Sequence, residues 1–189
     1  ITITKTRVTQ SPFAIDGGLI TWKISLVNTG DGYGEINQLI DTLPNGFTFG
    51  SVISPSGIAS NSYGGTSYGF YSTTSSYIEV APNSTVDIIY TTNAASASVG
   101  THTNNVQAFW YDGAGRNGAY NSDYSEYRDL FRASASANIV LERPTLSINK
   151  TPNESDNAYV LENTNPQFQI TLTNTSNVVA NNISIDDVM

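Results

Sequence analysis

The sequence predicts an all-β fold, an antiparallel β-sandwich in one complete unit followed by the opening strands of a second. Three observations predict it. Runs of strand length alternate apolar and polar residues, and side chains on a strand point to opposite faces in turn. Clusters of Gly, Pro, Asn, Asp and Ser separate those runs, the pattern of many short strands joined by turns. The opening of the chain also returns later in the same order, at a period of about 146 residues.

The elements follow in chain order. "ITITKT" (1–6) sets Ile1, Ile3 and Lys5 on one side and three threonines on the other. "LITWKISLVN" (19–28) sets Trp22, Ile24 and Leu26 against Thr21, Lys23 and Ser25. "EINQLIDTL" (35–43), "SYIEVAP" (76–82), "STVDIIYTT" (84–92) and "NNVQAFWYD" (104–112) are rich in the β-branched and aromatic residues that suit a pleated, half-buried surface. The turn clusters are "IDGG", "NTGDGYG", "LPNGF", "SPSG", "APNST" and "SVGTH". In "LPNG" the fixed φ of Pro44 suits the second turn position, with Asn45 and Gly46 after it. The stretches 93–99 and 128–140 leave room for a short turn of helix, though neither has good caps.

The repeat divides the chain. "ITITKT" returns as "LSINKT" (146–151), "TWKISLVNTG" (21–30) as "QFQITLTNTS" (167–176), and "NQLIDTLP" (37–44) within "NISIDDVM" (182–189), where Asp187 matches Asp41 and the stretch stops one residue before the proline would be due. Asn28 and Asp41 stand 13 residues apart, as do Asn174 and Asp187. Residues 1–143 are thus expected to form one full unit with a long C-terminal extension. Residues 144–189 are expected to begin a second. A unit of about 45 residues with one apolar face and open edges falls below the size that folds alone. Further chain or a neighbouring molecule is expected to complete it.

Composition narrows the function. Charged residues make up 13% of the chain, against about 25% in ordinary globular proteins, and the formal net charge is −8. Such a surface repels phosphate backbones, so nucleic-acid binding is not expected. There is no cysteine, hence neither disulfides nor thiolate chemistry. No apolar run is long enough for a membrane-spanning helix, and no signal peptide is visible. The chain opens at Ile1, as a mature form or an excised fragment would. Few charges and many hydroxyls suit an extracellular or cell-surface protein.

The spaced motifs resemble the DUF11 repeats of large bacterial and archaeal surface proteins. They are Lys5-Thr6, Val27-Asn28-Thr29-Gly30, Asp41-Thr42-Leu43-Pro44-Asn45-Gly46-Phe47 and Asn104-Asn105-Val106. The match covers roughly residues 1–112, and again 146–189 for the opening half. The resemblance implies an immunoglobulin-like sandwich used in tandem as a stalk, filament, envelope-layer or adhesin element. It implies copies of the same chain, or further repeats of it, as partners. The tail from Tyr111 to Pro144 is longer than the usual end of such a domain.

Parity then singles out a chemical constellation. The chain has three lysines, and two of them, Lys5 and Lys150, follow an Ile on the apolar side at the same repeat position. Asp41 shares a side with Leu39 and Leu43, Asp187 with Ile183 and Ile185, and Asn104 with Val106, Ala108 and Trp110. A Lys, an Asp and an Asn are therefore expected to face one core, where an isolated charge is costly and must be paired. One reading is an intramolecular isopeptide bond. In it a desolvated Lys5 attacks the Asn104 carboxamide, ammonia leaves, and Asp41 shuttles the proton. The other is a hydrogen-bonded Lys5–Asp41 pair at the sandwich end, with Asn104 tying down a loop. Lys150 and Asp187 are the equivalent positions of the second unit.

Remaining candidates are weaker. Asn28 and Asn174 close strands before turns, where their side chains bond local backbone. Among the Asn-X-Ser/Thr sequons, Asn83 and Asn153 sit in turn-like contexts and are the candidate glycosylation sites. The acidic stretch 112–129 lacks the regular spacing of a Ca²⁺ loop and reads as a solvated segment. His102 is the single histidine, which disfavours His-based metal or triad chemistry. No G-x-S-x-G elbow is present. No enzyme activity, cofactor or metal is expected. Nine of the eleven tyrosines lie between Tyr63 and Tyr127. Tyr, Ser and Gly together make adaptable contact surfaces, so this region is the candidate adhesive face for a glycan or a host protein.

Overall fold

The structure, a computed structural model, describes residues 1–15, 18–111, 130–152 and 168–187. Among them there is no helix, and the chain forms two facing sheets plus a small third one. The first sheet has the order β1 (Thr2–Arg7), β3 (Leu19–Asn28), β9 (Ser84–Asn93) and β5 (Thr48–Ser54). The second runs β2 (Phe13–Ala14), β11 (Leu130–Glu142), β10 (Gly100–Tyr111), β4 (Gly34–Thr42), β7 (Ser67–Ser72) and β6 (Ile58–Gly64). A short strand, β8 (Ile78–Val80), also pairs with β4. Pairing is antiparallel throughout, apart from the two-residue parallel contact of β2 with β11. This is the β-sandwich that the strand and turn pattern predicts, of the immunoglobulin-like kind that the resemblance implies.

The core is the inward row of each strand. Ile20, Trp22, Ile24 and Leu26 of β3 and Ile88 and Tyr90 of β9 face Ile36 and Leu39 of β4, Val106 and Ala108 of β10, and Ile139 and Leu141 of β11. Burying side chains of this size contributes about 1.5–3 kcal/mol each. The Trp22 indole also donates to Thr92 Oγ1 at 2.9 Å, so its one polar atom is satisfied inside the core.

Strict alternation fails in β4, and the failure sets the site. Ile36 and Leu39 are both buried although they are three residues apart, with Asn37 and Gln38 exposed between them. The β4–β10 register slips at the same place: Phe109 faces Gln38, but Trp110 faces Ile36. An extra residue in one strand is a β-bulge. It resets the parity so that Leu39 and Asp41 continue the inward row.

Several elements differ from expectation for identifiable reasons. Residues 130–142 form β11 and not the turn of helix that 128–140 allowed. Its inward residues are Ala133, Ala135 and Ala137, against exposed Arg132, Ser134 and Ser136, and alanine is too small to mark an apolar row. Residues 93–99 hold one tight turn, Ala97 N donating to Ala94 O at 2.9 Å. β5, β6 and β7 are rich in Gly and Ser, residues of low strand propensity, so pairing rather than composition makes them strands. The "LPNGF" turn closes through Phe47 N to Pro44 O at 3.1 Å, so Pro44 takes the first turn position and not the second. Gly46, with φ of +81°, fills the third, where a positive φ is required.

The third sheet pairs β12 (Leu146–Pro152) with β13 (Phe168–Asn174). Its register repeats the first: Ile148 faces Leu172 and Lys150 faces Ile170, as Ile3 faces Leu26 and Lys5 faces Ile24. Ile148, Phe168 and Ile170 are exposed. Residues 183–187 enter no ladder.

Candidate functional site

Four polar side chains meet inside the first sandwich. Lys5 comes from β1 and Tyr90 from β9, in one sheet. Asp41 comes from β4 and Asn104 from β10, in the other. Asp41 pairs with Val106, which makes Asn104, two residues earlier on the same face, its diagonal neighbour. Lys5 continues the row of Ile3 at the sheet edge. The site thus joins the first strand of the unit to one of its last.

The contacts form a chain. Lys5 Nζ donates to Asp41 Oδ1. Tyr90 Oη donates to Asp41 Oδ2 at 2.7 Å and accepts from Asn104 Nδ2 at 3.0 Å. Asn104 Oδ1 is buried without a hydrogen-bond partner, a costly state for a carbonyl. Both side chains of the Lys5–Asp41 pair are fully shielded from solvent. The Lys5 ammonium also lies 5.8 Å from the Trp22 ring centroid and 5.6 Å from that of Tyr90, close enough for the ring faces to attract it.

Burial dominates the electrostatics. Desolvation pushes the Lys5 amine down to about 8, against the opposing pull of the Asp41 charge. Desolvation raises the Asp41 carboxyl above its ordinary range, opposed by Lys5 and by hydrogen bonds from Tyr90 and Asn104. Burial and then the Asp41 charge push the Tyr90 phenol well up. The three shifts favour the neutral forms: an unprotonated amine, a protonated carboxyl and a phenol that keeps its proton.

Lys5, Asp41 and Asn104 all lie on the core side that parity assigned them, at 6%, 0% and 0% exposure. Tyr90 was missed. It shares the inward side of "STVDIIYTT" with Ile88, and a buried tyrosine in an apolar row needs a partner for its hydroxyl, which was the available signal. Aromatic packing fixes its ring: Phe49 stacks on it at 5.6 Å and Phe70 meets it edge-on at 5.1 Å.

At the repeat positions of Lys5 and Asp41, Lys150 Nζ donates to Asp187 Oδ1 at 2.6 Å, with the two side chains 36% and 40% exposed. Lys150 lies 4.6 Å from the Phe168 ring centroid, much as Lys5 lies over Trp22. The strand-closing asparagines behave alike. Asn28 Nδ2 donates to Gly32 O at 2.7 Å and to Val80 O at 3.0 Å, and Gly30 N donates back to Asn28 Oδ1. Asn174 Nδ2 donates to Val178 O at 2.8 Å, and Ser176 N donates to Asn174 Oδ1.

Asn83 is exposed at positive φ in the turn before β9. Asn153 and the acidic stretch 112–129 lie outside the described residues. Within the tyrosine-rich segment, Tyr68 turns inward and stacks on Phe49 at 4.7 Å, while Tyr63 and Tyr71 are exposed. Among the described residues no His/Cys/Asp/Glu group could hold a metal ion, and no helix is long and apolar enough to cross a membrane.

No family model matches the chain, and no curated protein does. Solved structures of one pilin share its fold, and a second pilin gives a weaker likeness. Domains D2 and D3 of the major pilin SpaD from Corynebacterium diphtheriae align with a TM-score of 0.54 at 10% identity, over 83% of this chain and 57% of that one. Full-length SpaD aligns with a TM-score of 0.52 at 10% identity, over 83% of this chain and 39% of that one. BcpA, the major pilin subunit of Bacillus cereus, gives a TM-score of 0.48 at 9% identity, over 79% and 41%. The chain therefore spans between 39% and 57% of the length of these pilin chains.

Proposed function

We propose that this chain is a structural repeat of an extracellular surface protein, a stalk, filament or envelope-layer module. In this reading an isopeptide bond between Lys5 and Asn104 locks its first sandwich. One observation carries the reading: a lysine, a carboxylic acid and a carboxamide are buried together where an early strand of one sheet faces a late strand of the other. The fold shared with SpaD domains and the resemblance to DUF11 repeats support the surface role. The absence of cysteine means that any covalent brace must come from other chemistry.

The reaction is an amide exchange. Asp41 takes a proton from the Lys5 ammonium, and the neutral amine attacks Cγ of Asn104. The Nζ–Cγ bond forms, the Cγ–Nδ2 bond breaks, and Asp41 returns a proton to the departing nitrogen and takes up the second proton that Nζ sheds. The amine and the carboxamide become a secondary amide and ammonia, with no oxidant or cofactor. Tyr90 holds Asp41 and Asn104 in one geometry, which is the positioning contribution to the rate.

Electron microscopy of the native assembly tests the structural role: a regular filament or layer containing this chain is expected. The exposed Tyr63 and Tyr71 favour a second role as an adhesin. Binding of a soluble glycan array by a protein that remains monomeric would replace the structural reading with that one.

A further inference from the structure

The second unit carries half of the same chemistry. Lys150 and Asp187 occupy the repeat positions of Lys5 and Asp41 and are hydrogen-bonded to each other. The β12–β13 register reproduces β1–β3 residue for residue, and Phe168 lies under Lys150 as Trp22 lies under Lys5. The other half of the first site, Tyr90 and Asn104, comes from β9 and β10. In the first sheet β9 pairs along the edge of β3 that faces away from β1. The corresponding edge of β13 has no strand beside it among the described residues. Ile148, Phe168, Ile170, Ile183 and Ile185 are exposed.

We propose that Lys150 is a covalent acceptor site completed by polypeptide carrying the closing strands of this repeat, with a hydroxyl at the Tyr90 position and an asparagine at the Asn104 position. This rests on the reading of the first site. The internal repeat identifies the occupant: in the first unit that apolar face is covered by strands of this kind. Lys150 and Asp187 are partly exposed, so the pair is held in place but solvated. Closure of the sheet removes water from the amine, as at Lys5, and brings the carboxamide to it. Desolvation disfavours the charged amine, so closure is the trigger. The new bond joins Lys150 Nζ to the asparagine Cγ, the Cγ–Nδ2 bond breaks, and ammonia leaves.

The test extends the chain by a second copy of residues 44–143 placed directly after Met189, where the repeat calls for them. The intact mass is expected to fall short of the sequence mass by two ammonia molecules, with peptide mapping showing Lys150 linked to the appended asparagine. Lys150→Arg should restore one of the two. A shortfall of one ammonia, at Lys5 alone, overturns the proposal and leaves the first site intact; no shortfall overturns both. A second arm needs no fusion. The 189-residue chain is incubated with a synthetic peptide of residues 84–111 and is expected to gain the peptide mass less one ammonia at Lys150. Unmodified Lys150 in either arm overturns the proposal.

Discussion

Tyr90 reaches across the sandwich to Asp41, its phenolic oxygen 2.7 Å from Oδ2, and takes a hydrogen bond from Asn104 with the same oxygen. One hydroxyl thus ties the acid of β4 to the amide of β10, and the aromatic stack with Phe49 and Phe70 fixes its position. Tyr90→Phe keeps the ring and deletes the bridge. The fold is expected to survive with a loss of about 1–3 kcal/mol for the buried polar groups left unpaired. Cross-link formation should slow, and intact masses taken at intervals after refolding measure that rate.

Asn104→Ala removes the acceptor carboxamide. The chain should keep its full sequence mass and melt at a lower temperature. A link between residues 5 and 104 closes a long loop in the unfolded chain, and the loop-entropy treatment used for disulfides assigns such a closure about 4–5 kcal/mol. For a domain of this size that corresponds to a drop of roughly 10–20 °C in Tm, read by calorimetry.

Asp41→Asn leaves the lysine and the acceptor in place and removes the group that exchanges protons with them. No shortfall in mass is expected. The buried Lys5 also loses its counter-charge, a change that destabilises proteins by about 3–5 kcal/mol. Denaturant unfolding compared with Asn104→Ala separates the two effects, because only Asp41→Asn leaves the amine unpaired.

Lys5 should titrate far from an exposed lysine. In the Asn104→Ala chain the amine stays free, and NMR of its side chain is expected to show a midpoint near 8, below the ordinary 10.5. The unfolded chain then binds more protons than the folded one between those two values. Stability is therefore expected to rise with pH across that window and to level off above it. A midpoint near the ordinary value would mean that water reaches the amine.

The site was largely legible in the sequence because its lysine, acid and amide each interrupt an apolar row, and alternation assigns such interruptions to the core. Leu39 and Leu43 alone assign Asp41 to the inward side, although the bulge at Asn37–Gln38 breaks the parity further back. A count begun at Ile36 would have turned Asp41 outward. Tyr90 escaped because tyrosine also suits the outward face of a strand. β11 escaped because its inward row is alanine, and β5 to β7 because Gly and Ser carry little strand signal. Their pairing is decided by neighbours distant in sequence.

The account stands on a bond between Lys5 and Asn104, and the intact mass of the purified 189-residue chain tests it most directly. A mass lighter than the sequence by one ammonia is expected, with proteolysis releasing a branched peptide that joins the two residues. The full sequence mass with a free Lys5 amine would reduce the site to a buried ion pair, and a shortfall of one water would place the link on Asp41 instead.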